Sequence, residues 1–259
     1  MSPARIGFWL LSVLAFAFLG YSLWIEPPPL WFVFVAMLGY ATYSTLGVLF
    51  PHLEMYGKVL WRGPSGRREV ALSFDDGPHP ETTRKVLEIL KAHGQVATFF
   101  VVGTKAEACP DVVREIVAAG HGLGLHGYTH DRLYSLRSPK SVQTDIEQAQ
   151  RALEAICGER PRLFRPPVGF ASHRTLAGAK RAKVEVVGCS ARGLDGMSGR
   201  DPERVTERVV QALRDGAIVL LHDAAERDDF TPATIAALPK VLEAIAQRGL
   251  KTVRIDSWL

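Results

Sequence analysis

The sequence predicts an α/β domain of about seven strand–helix units curling toward a barrel, preceded by two membrane-spanning helices. Three observations predict it. From Glu69 onward, short β-like runs alternate with segments of helical periodicity. The residues best suited to chemistry fall at the C-terminal ends of those runs, where parallel α/β barrels carry their sites. Ahead of them lie two long apolar runs without a charge, Ile6 to Ile25 and Leu30 to Phe50.

Each apolar run is long enough to cross a hydrocarbon core of about 30 Å as a helix. Between them Glu26-Pro27-Pro28-Pro29 stops any continuous helix, and Trp24 and Trp31 flank that stop as interfacial aromatics do. Residues 1–55 therefore read as a two-helix transmembrane anchor. A cleaved signal peptide is the competing reading. Its apolar core is typically about 7–15 residues, and here the run is longer and a second follows at once. Arg5 precedes the first span, Lys58, Arg62, Arg67 and Arg68 follow the second, and the connection carries only Glu26. The positive-inside rule then places both termini, and the main domain, on the cytoplasmic face of a bacterial-type inner membrane. Residues 56–68 read as a linker, with Gly63-Pro64-Ser65-Gly66 as turn chemistry and basic residues that are either solvated or laid on anionic headgroups.

The domain, residues 69–259, opens with a strand at Val70–Phe74 and a helix at Glu81–Ala92, whose Val86, Leu87 and Leu90 recur at helical spacing. Ala97–Val102 is a buried strand, and Pro110–Ala119 a helix with proline in its permitted first turn. Leu123–Leu125 is a strand running into His126, and helix Ser141–Ile156 ends at the C-cap Gly158. Leu163-Phe164 leads to Arg165, then come a helix at about 174–182 and a strand at Val184–Val187. Asp201 caps a helix through Leu213, Ala217–Leu221 is an apolar strand, and Thr234–Gln247 with Lys251–Ile255 closes the domain. Repeated strand–helix units imply parallel strands with right-handed crossovers.

Composition excludes several classes. A net charge of +4 over 259 residues is too small and too dispersed for nucleic acid, and no nucleic-acid module accompanies it. Cys109, Cys157 and Cys189 are odd in number and far apart, so they form no disulfide framework and read as buried thiols. No Gly-x-Ser-x-Gly elbow is present, which disfavours a serine hydrolase.

Two stretches carry the chemistry. In Ser73-Phe74-Asp75-Asp76-Gly77-Pro78 two adjacent carboxylates end a strand, and a Gly-Pro turn must begin there for both to serve one site. In His126-Gly127-Tyr128-Thr129-His130 the imidazoles are four apart, which on one helical turn would put them on one face. With a carboxylate from elsewhere they make a two-histidine, one-carboxylate site for a divalent ion with open positions. The histidines at 52, 79, 93, 121 and 173 have no such partner and read as surface or loop residues.

With these in place, the stretch from about Arg68 to Asp256 resembles the polysaccharide deacetylase family, the NodB-homology domains of carbohydrate esterase family 4. Five motifs match in order: Phe74–Pro78, His126…His130, Arg165-Pro166-Pro167-Val168-Gly169, Asp195, and Leu220-Leu221-His222-Asp223. The resemblance implies a distorted (β/α) barrel, in a hydrolase acting on carbon–nitrogen bonds other than peptide bonds. It implies that Asp76, His126 and His130 hold one divalent metal, with zinc first and cobalt, nickel or manganese as alternatives. Asp75 would be the general base, Arg165 its ion-pair partner, and His222 the general acid oriented by Asp195. Pro166, Pro167, Gly169, Tyr128 and Leu221 would line the substrate groove, with the oxyanion on a backbone N–H of the Pro78-His79 loop.

The chain departs from the family pattern at three places. Gly127 stands where a hydroxyl residue normally braces the metal loop. One acid without an aromatic remains around Asp195, and Val168 replaces the usual aromatic before glycine. These losses reduce the surface for stacking a long polymer. The expected activity is removal of an N-acyl group, first of all N-acetyl, from a glycolipid or lipid-linked sugar at the membrane. Alternatives are a deacetylase of peptidoglycan or exported polysaccharide, a deformylase or O-esterase, and a catalytically silent carbohydrate- or lipid-binding module. Its partners would then be an N-acylated sugar and membrane lipid.

Overall fold

A computed structural model describes residues 1–25 and 27–259; Glu26, the one charge of the predicted turn, lies outside the described residues. Helices α1 (Pro3–Trp24) and α2 (Leu30–Leu49) pack side by side. Phe8 stacks on Tyr40, and the Ser12 and Tyr40 hydroxyls share a 2.9 Å hydrogen bond. Both are long and apolar enough to cross a membrane, with mean hydropathies of 2.0 and 1.6 and nearly all of their surface facing outward.

In the domain that follows, the strands are β1 (Glu69–Asp75), β2 (Thr98–Val101), β3 (Gly122–Leu125), β4 (Leu163–Phe164), β5 (Glu185–Val186), β6 (Ala191–Arg192), β7 (Ala217–His222) and β8 (Lys251–Thr252). The helices are α3 (Thr82–Ala92), α4 (Gly103–Ala108), α5 (Pro110–Ala118), α6 (Pro139–Cys157), α7 (His173–Arg181), α8 (Pro202–Ala212) and α9 (Thr234–Gln247). Seven parallel strands run in the order β5-β4-β3-β2-β1-β7-β6, and β8 pairs with the start of β1. The expected barrel is a curled half-barrel, because β5 and β6 do not pair with each other among the described residues.

The stretch expected as a linker lies across that opening. The Leu60 N–H donates to the Val186 carbonyl at 2.8 Å, and its own carbonyl accepts from the Gly188 N–H at 2.9 Å. Three residues on, the Gly63 N–H donates to the Gly216 carbonyl on the other side at 2.8 Å. Val59 is buried in the core. Backbone groups at the seam thus find the partners that an open sheet edge lacks.

Side-chain alternation divides the interior into two layers. Val70, Leu72 and Phe74 of β1, Phe99 and Val101 of β2, and Val219 and Leu221 of β7 point outward into the core beneath the helices. Ala71, Phe100, Leu163 and Ile218 point inward and fill the bottom of the half-barrel. The inward parity carried to the strand tops arrives at Asp75, His126, Arg165 and His222, so the fold delivers these four to one space.

Several elements depart from the sequence-based expectation. Helix α4 and strand β6 are not anticipated; six and two residues are too short for a periodic signal. The last strand stops at Thr252, and Ile255–Trp258 turns as a 3₁₀ segment. His121 is buried, not a surface residue. The Ala97 N–H donates to its Nδ1 at 3.2 Å, and burial pushes its pKa down to about 4. The three cysteines are free and half-buried.

Candidate metal and active site

Asp75 ends β1 in extended backbone, but Asp76 turns into the left-handed region at φ +74°. That single turn brings consecutive carboxylates to the same space, which strand geometry alone forbids. Gly77 is required by close approach, since a Cβ there would lie 2.1 Å from Asp223 Oδ2. Asp223 is buried and accepts from the Thr83 hydroxyl at 2.5 Å; burial pushes its pKa up to about 7.

His126 and His130 do not share a helical turn. They sit on a loop after β3 that bends through positive φ at Gly127 (+79°) and again at His130 (+53°). The rings still converge, with centroids 4.9 Å apart. One ligand atom each from Asp76, His126 and His130 lies within 4.8 Å of the others. His126 Nε2 is 3.4 Å and His130 Nε2 3.2 Å from Asp76 Oδ1. Asp76 Oδ1 is buried and has no hydrogen-bond donor, which leaves a carboxylate oxygen open to a cation. The His126 Nδ1–H is directed at the Arg165 carbonyl at 2.8 Å, leaving Nε2 as the lone-pair atom. Burial raises the pKa of Asp76, but the two imidazoles outweigh it and hold the carboxyl well below the usual range. For His130, burial opposes the charged form, and Asp76 more than reverses that. The three residues fit a divalent metal, with room for further ligands on the cavity side.

Gly127 leaves no hydroxyl to brace this loop, and the Tyr128 hydroxyl points away to Glu107 at 2.8 Å. Asp145 of α6 does the bracing. It accepts from the Tyr128 N–H at 2.9 Å and pairs with Arg137 at 3.0 Å. A Cβ on Gly127 would sit 3.3 Å from both Asp145 and Pro167, which would have to give by a few tenths of an ångström, and the φ of +79° strains any side chain there.

On one flank, Arg165 Nη1 donates to Asp75 Oδ1 at 2.6 Å and to Ser73 Oγ at 2.9 Å, while its guanidinium lies 4.1 Å above the Phe100 ring. On the other flank, His222 is the register partner of Asp75 on the adjacent strand. Its Nδ1 lies 3.1 Å from Asp195 Oδ1, and its backbone N–H donates to Asp195 Oδ2 at 2.7 Å. Thr234 also donates to Asp195, a buried residue. Burial disfavours the His222 cation, but Asp195 more than compensates and the pKa is pushed up to about 9.

These groups open into one cavity of about 880 Å³, toward the upper end of the roughly 300–1,000 Å³ typical of ligand sites. Pro166 and Gly169 line it; Pro167, Tyr128 and Leu221 do not. Leu221 faces the helices because it alternates with His222, and Leu220 takes the cavity position instead. The His79 N–H is occupied by Thr83 at 2.9 Å, so it is not free for an oxyanion, and Pro78 has no N–H to give. Sequence reasoning missed Asp145, Thr234 and Glu226, the last 3.4 Å from His130 Nδ1. None stands at a telling spacing from the residue it serves.

The model of the polysaccharide deacetylase family matches residues 62–187. A chitooligosaccharide deacetylase of Bradyrhizobium sp. (strain ANU 289) is 36% identical over 212 residues, covering 78% of this chain and 94% of that protein. A peptidoglycan-N-acetylglucosamine deacetylase of Bacillus cereus is 33% identical over 215 residues, covering 82% and 98%. The solved peptidoglycan N-acetylglucosamine deacetylase Bc1960 superposes with a TM-score of 0.70 at 30% identity, covering 77% of this chain and 91% of that one. With the five motifs standing around one cavity on a curled half-barrel, the chain belongs to the polysaccharide deacetylase family, carbohydrate esterase family 4 with a NodB-homology domain, and is a hydrolase of carbon–nitrogen bonds other than peptide bonds.

Proposed function

We propose that the protein is a membrane-anchored, metal-dependent N-deacetylase of an amino sugar presented at the membrane as a glycolipid or lipid-linked saccharide. One observation carries the chemistry: the Asp76–His126–His130 triad, its first two members buried, is flanked by an arginine-paired carboxylate on one side and a carboxylate-paired imidazole on the other. Two imidazoles and one carboxylate suit zinc first, with cobalt, nickel and manganese as alternatives. Bound there, such an ion polarises the amide carbonyl and acidifies water at neutral pH.

The chain's own groups divide the remaining work. Asp75 Oδ2, the oxygen not bonded to Arg165, lies 3.8 Å from His126 Nε2 and is placed to take the proton of the attacking water. Arg165 fixes the orientation of that carboxylate. His222 is charged near neutral pH, and Asp195 holds its ring by Nδ1, so Nε2 carries the proton to the departing amine. An amine leaves poorly without that proton. N-acetylglucosamine is the sugar unit we favour, since two relatives are named for N-acetylglucosamine or chitooligosaccharide substrates.

The two apolar helices support the anchor, and the basic residues after α2 support a cytoplasmic domain. Two experiments test this reading. Metal-loaded full-length protein should release acetate or formate from N-acyl amino sugars, and Asp76→Ala should lose both the metal and the activity; acid release from a metal-stripped preparation would sink the mechanism. Reporters fused after Leu259 should signal a cytoplasmic C-terminus, and an external one would redirect the substrate to peptidoglycan or exported polysaccharide.

A further inference from the structure

Beyond the first fifty residues six large hydrophobic side chains are exposed among the described residues; Leu133, Leu136 and Leu259 lie outside the cavity lining, and the other three share it. Val168, Leu194 and Met197 are 44%, 44% and 60% exposed, and all three line the cavity above Asp75 and Asp76. Leu49 and Phe50, at the C-terminal end of α2, are 38% and 46% exposed and line the same cavity. The same cavity therefore reaches from the end of a membrane-length helix to the metal-binding triad. Backbone and side-chain bonds tie that helix end to the domain. The Ala171 N–H donates to the Val48 carbonyl at 3.3 Å, and the Tyr56 hydroxyl to the Ser44 carbonyl at 2.7 Å. An apolar rim of this kind is unfavourable in water and marks a surface that something apolar covers.

The charge inside the cavity points to what the covering molecule carries. Four arginines line it. Two are matched: Arg132 pairs with Glu226 at 2.5 Å and Arg165 with Asp75 at 2.6 Å. Arg192 and Arg200 have no carboxylate within ion-pair distance among the described residues. Their contacts are the sulfurs of Cys189, at 3.0 Å, and Met197, at 2.9 Å. Sulfur is a weak acceptor, whereas a guanidinium fork matches phosphate oxygens two at a time. Two uncommitted guanidinium groups thus stand in an apolar-walled cavity that begins where a membrane helix ends.

Resting on the deacylation proposed above, we infer that the substrate is an anionic lipid-linked sugar. Its N-acyl amino sugar reaches Asp75 and Asp76, and its phosphate or diphosphate linkage lies on Arg192 and Arg200. Its hydrocarbon chain leaves past Leu49 and Phe50 into the bilayer. Arg192 and Arg200 are then specificity-determining residues for the charged linkage, and α2 forms part of the substrate site as well as the anchor.

The test uses the full-length, metal-loaded protein in mixed micelles with three probes, each as its N-acetyl and N-formyl derivative. They are a glucosaminyl diphosphate polyprenol, an uncharged octadecyl glucosaminide and a soluble chitotetraose. The expected kcat/KM for the diphosphate lipid exceeds that for the uncharged lipid tenfold or more, and chitotetraose is the poorest. In an Arg192→Gln/Arg200→Gln protein the ratio between the two lipids should fall tenfold or more, through KM rather than kcat. Lysine at both positions should restore part of it. Equal use of chitotetraose and the diphosphate lipid overturns the inference and leaves the deacylation reading standing. So does equal use of the two lipids, or a double variant that lowers both lipids alike. Acid release from none of the three overturns the deacylation reading itself, and the inference with it.

Discussion

Asp75 and Asp76 are neighbours with different tasks, and the difference lies in what each carboxylate touches. Asp75 meets a guanidinium at 2.6 Å, whereas Asp76 faces the Nε2 atoms of two imidazoles. Asp75→Asn keeps the metal ligands and removes the proton acceptor. Its kcat should therefore fall by about 10²–10⁴-fold, while metal content, read by atomic spectroscopy, stays at the wild-type level. At His222 the sign of the pH effect follows from its pKa, raised from 6.5 to about 9. The imidazolium needed as acid is present below that value and lost as pH rises through it, so kcat/KM should decline on the alkaline side near pH 9. Asp195→Asn removes the main stabiliser of the cation, and the falling limb should then move toward 6.5 in a pH–rate profile. The motif residues were legible individually in the sequence. A turn after Asp75 was legible as well, but it was read at Gly77-Pro78, and only the structure places its left-handed residue at Asp76.

At the scale of elements, the opening between the β5 and β6 edges is spanned by residues that read as a linker and that reach from β5 to the start of β7. Gly216 sits there at φ +74°, and a Cβ would lie 2.7 Å from the Gly63 carbonyl. Gly216→Ala should therefore cost about 1–3 kcal/mol, and each kcal/mol should lower the apparent Tm by roughly 2–4 °C for a domain of this size. His121, tilted against Phe99 just before β3, provides a second test. Its folded pKa is depressed from 6.5 to about 4, so the unfolded chain takes up the proton first. That contribution is fully present above pH 6.5 and is lost as pH falls toward 4. His121→Gln should flatten the acid limb of a Tm–pH curve over that interval. Long helices and buried strands were legible from periodicity. Helix α4, strand β6 and the seam were not, since two to six residues hold too few repeats to show a period.

On the scale of the whole molecule, the hairpin and the barrel share a wall. Two helices of this length and apolarity should keep the protein in the membrane pellet through an alkaline carbonate wash. A cleaved leader would instead leave a shortened, extractable chain, and an immunoblot of pellet and supernatant distinguishes the two. The sequence by itself determined the α/β class, the apolar pair of helices, the five motifs and the ligand types, because each rests on local pattern and side-chain chemistry. Tertiary structure decided which of these residues share a space. Strand parity sends His222 to the cavity and Leu221 to the core, and a loop with two positive-φ residues joins His126 to His130 where a helical turn was expected. It also supplies Asp145, Thr234 and Glu226 from elements distant in the chain, and brings the end of α2 to the mouth of the site. Contacts between residues far apart in sequence leave no periodic trace in it, and only the folded chain reveals them.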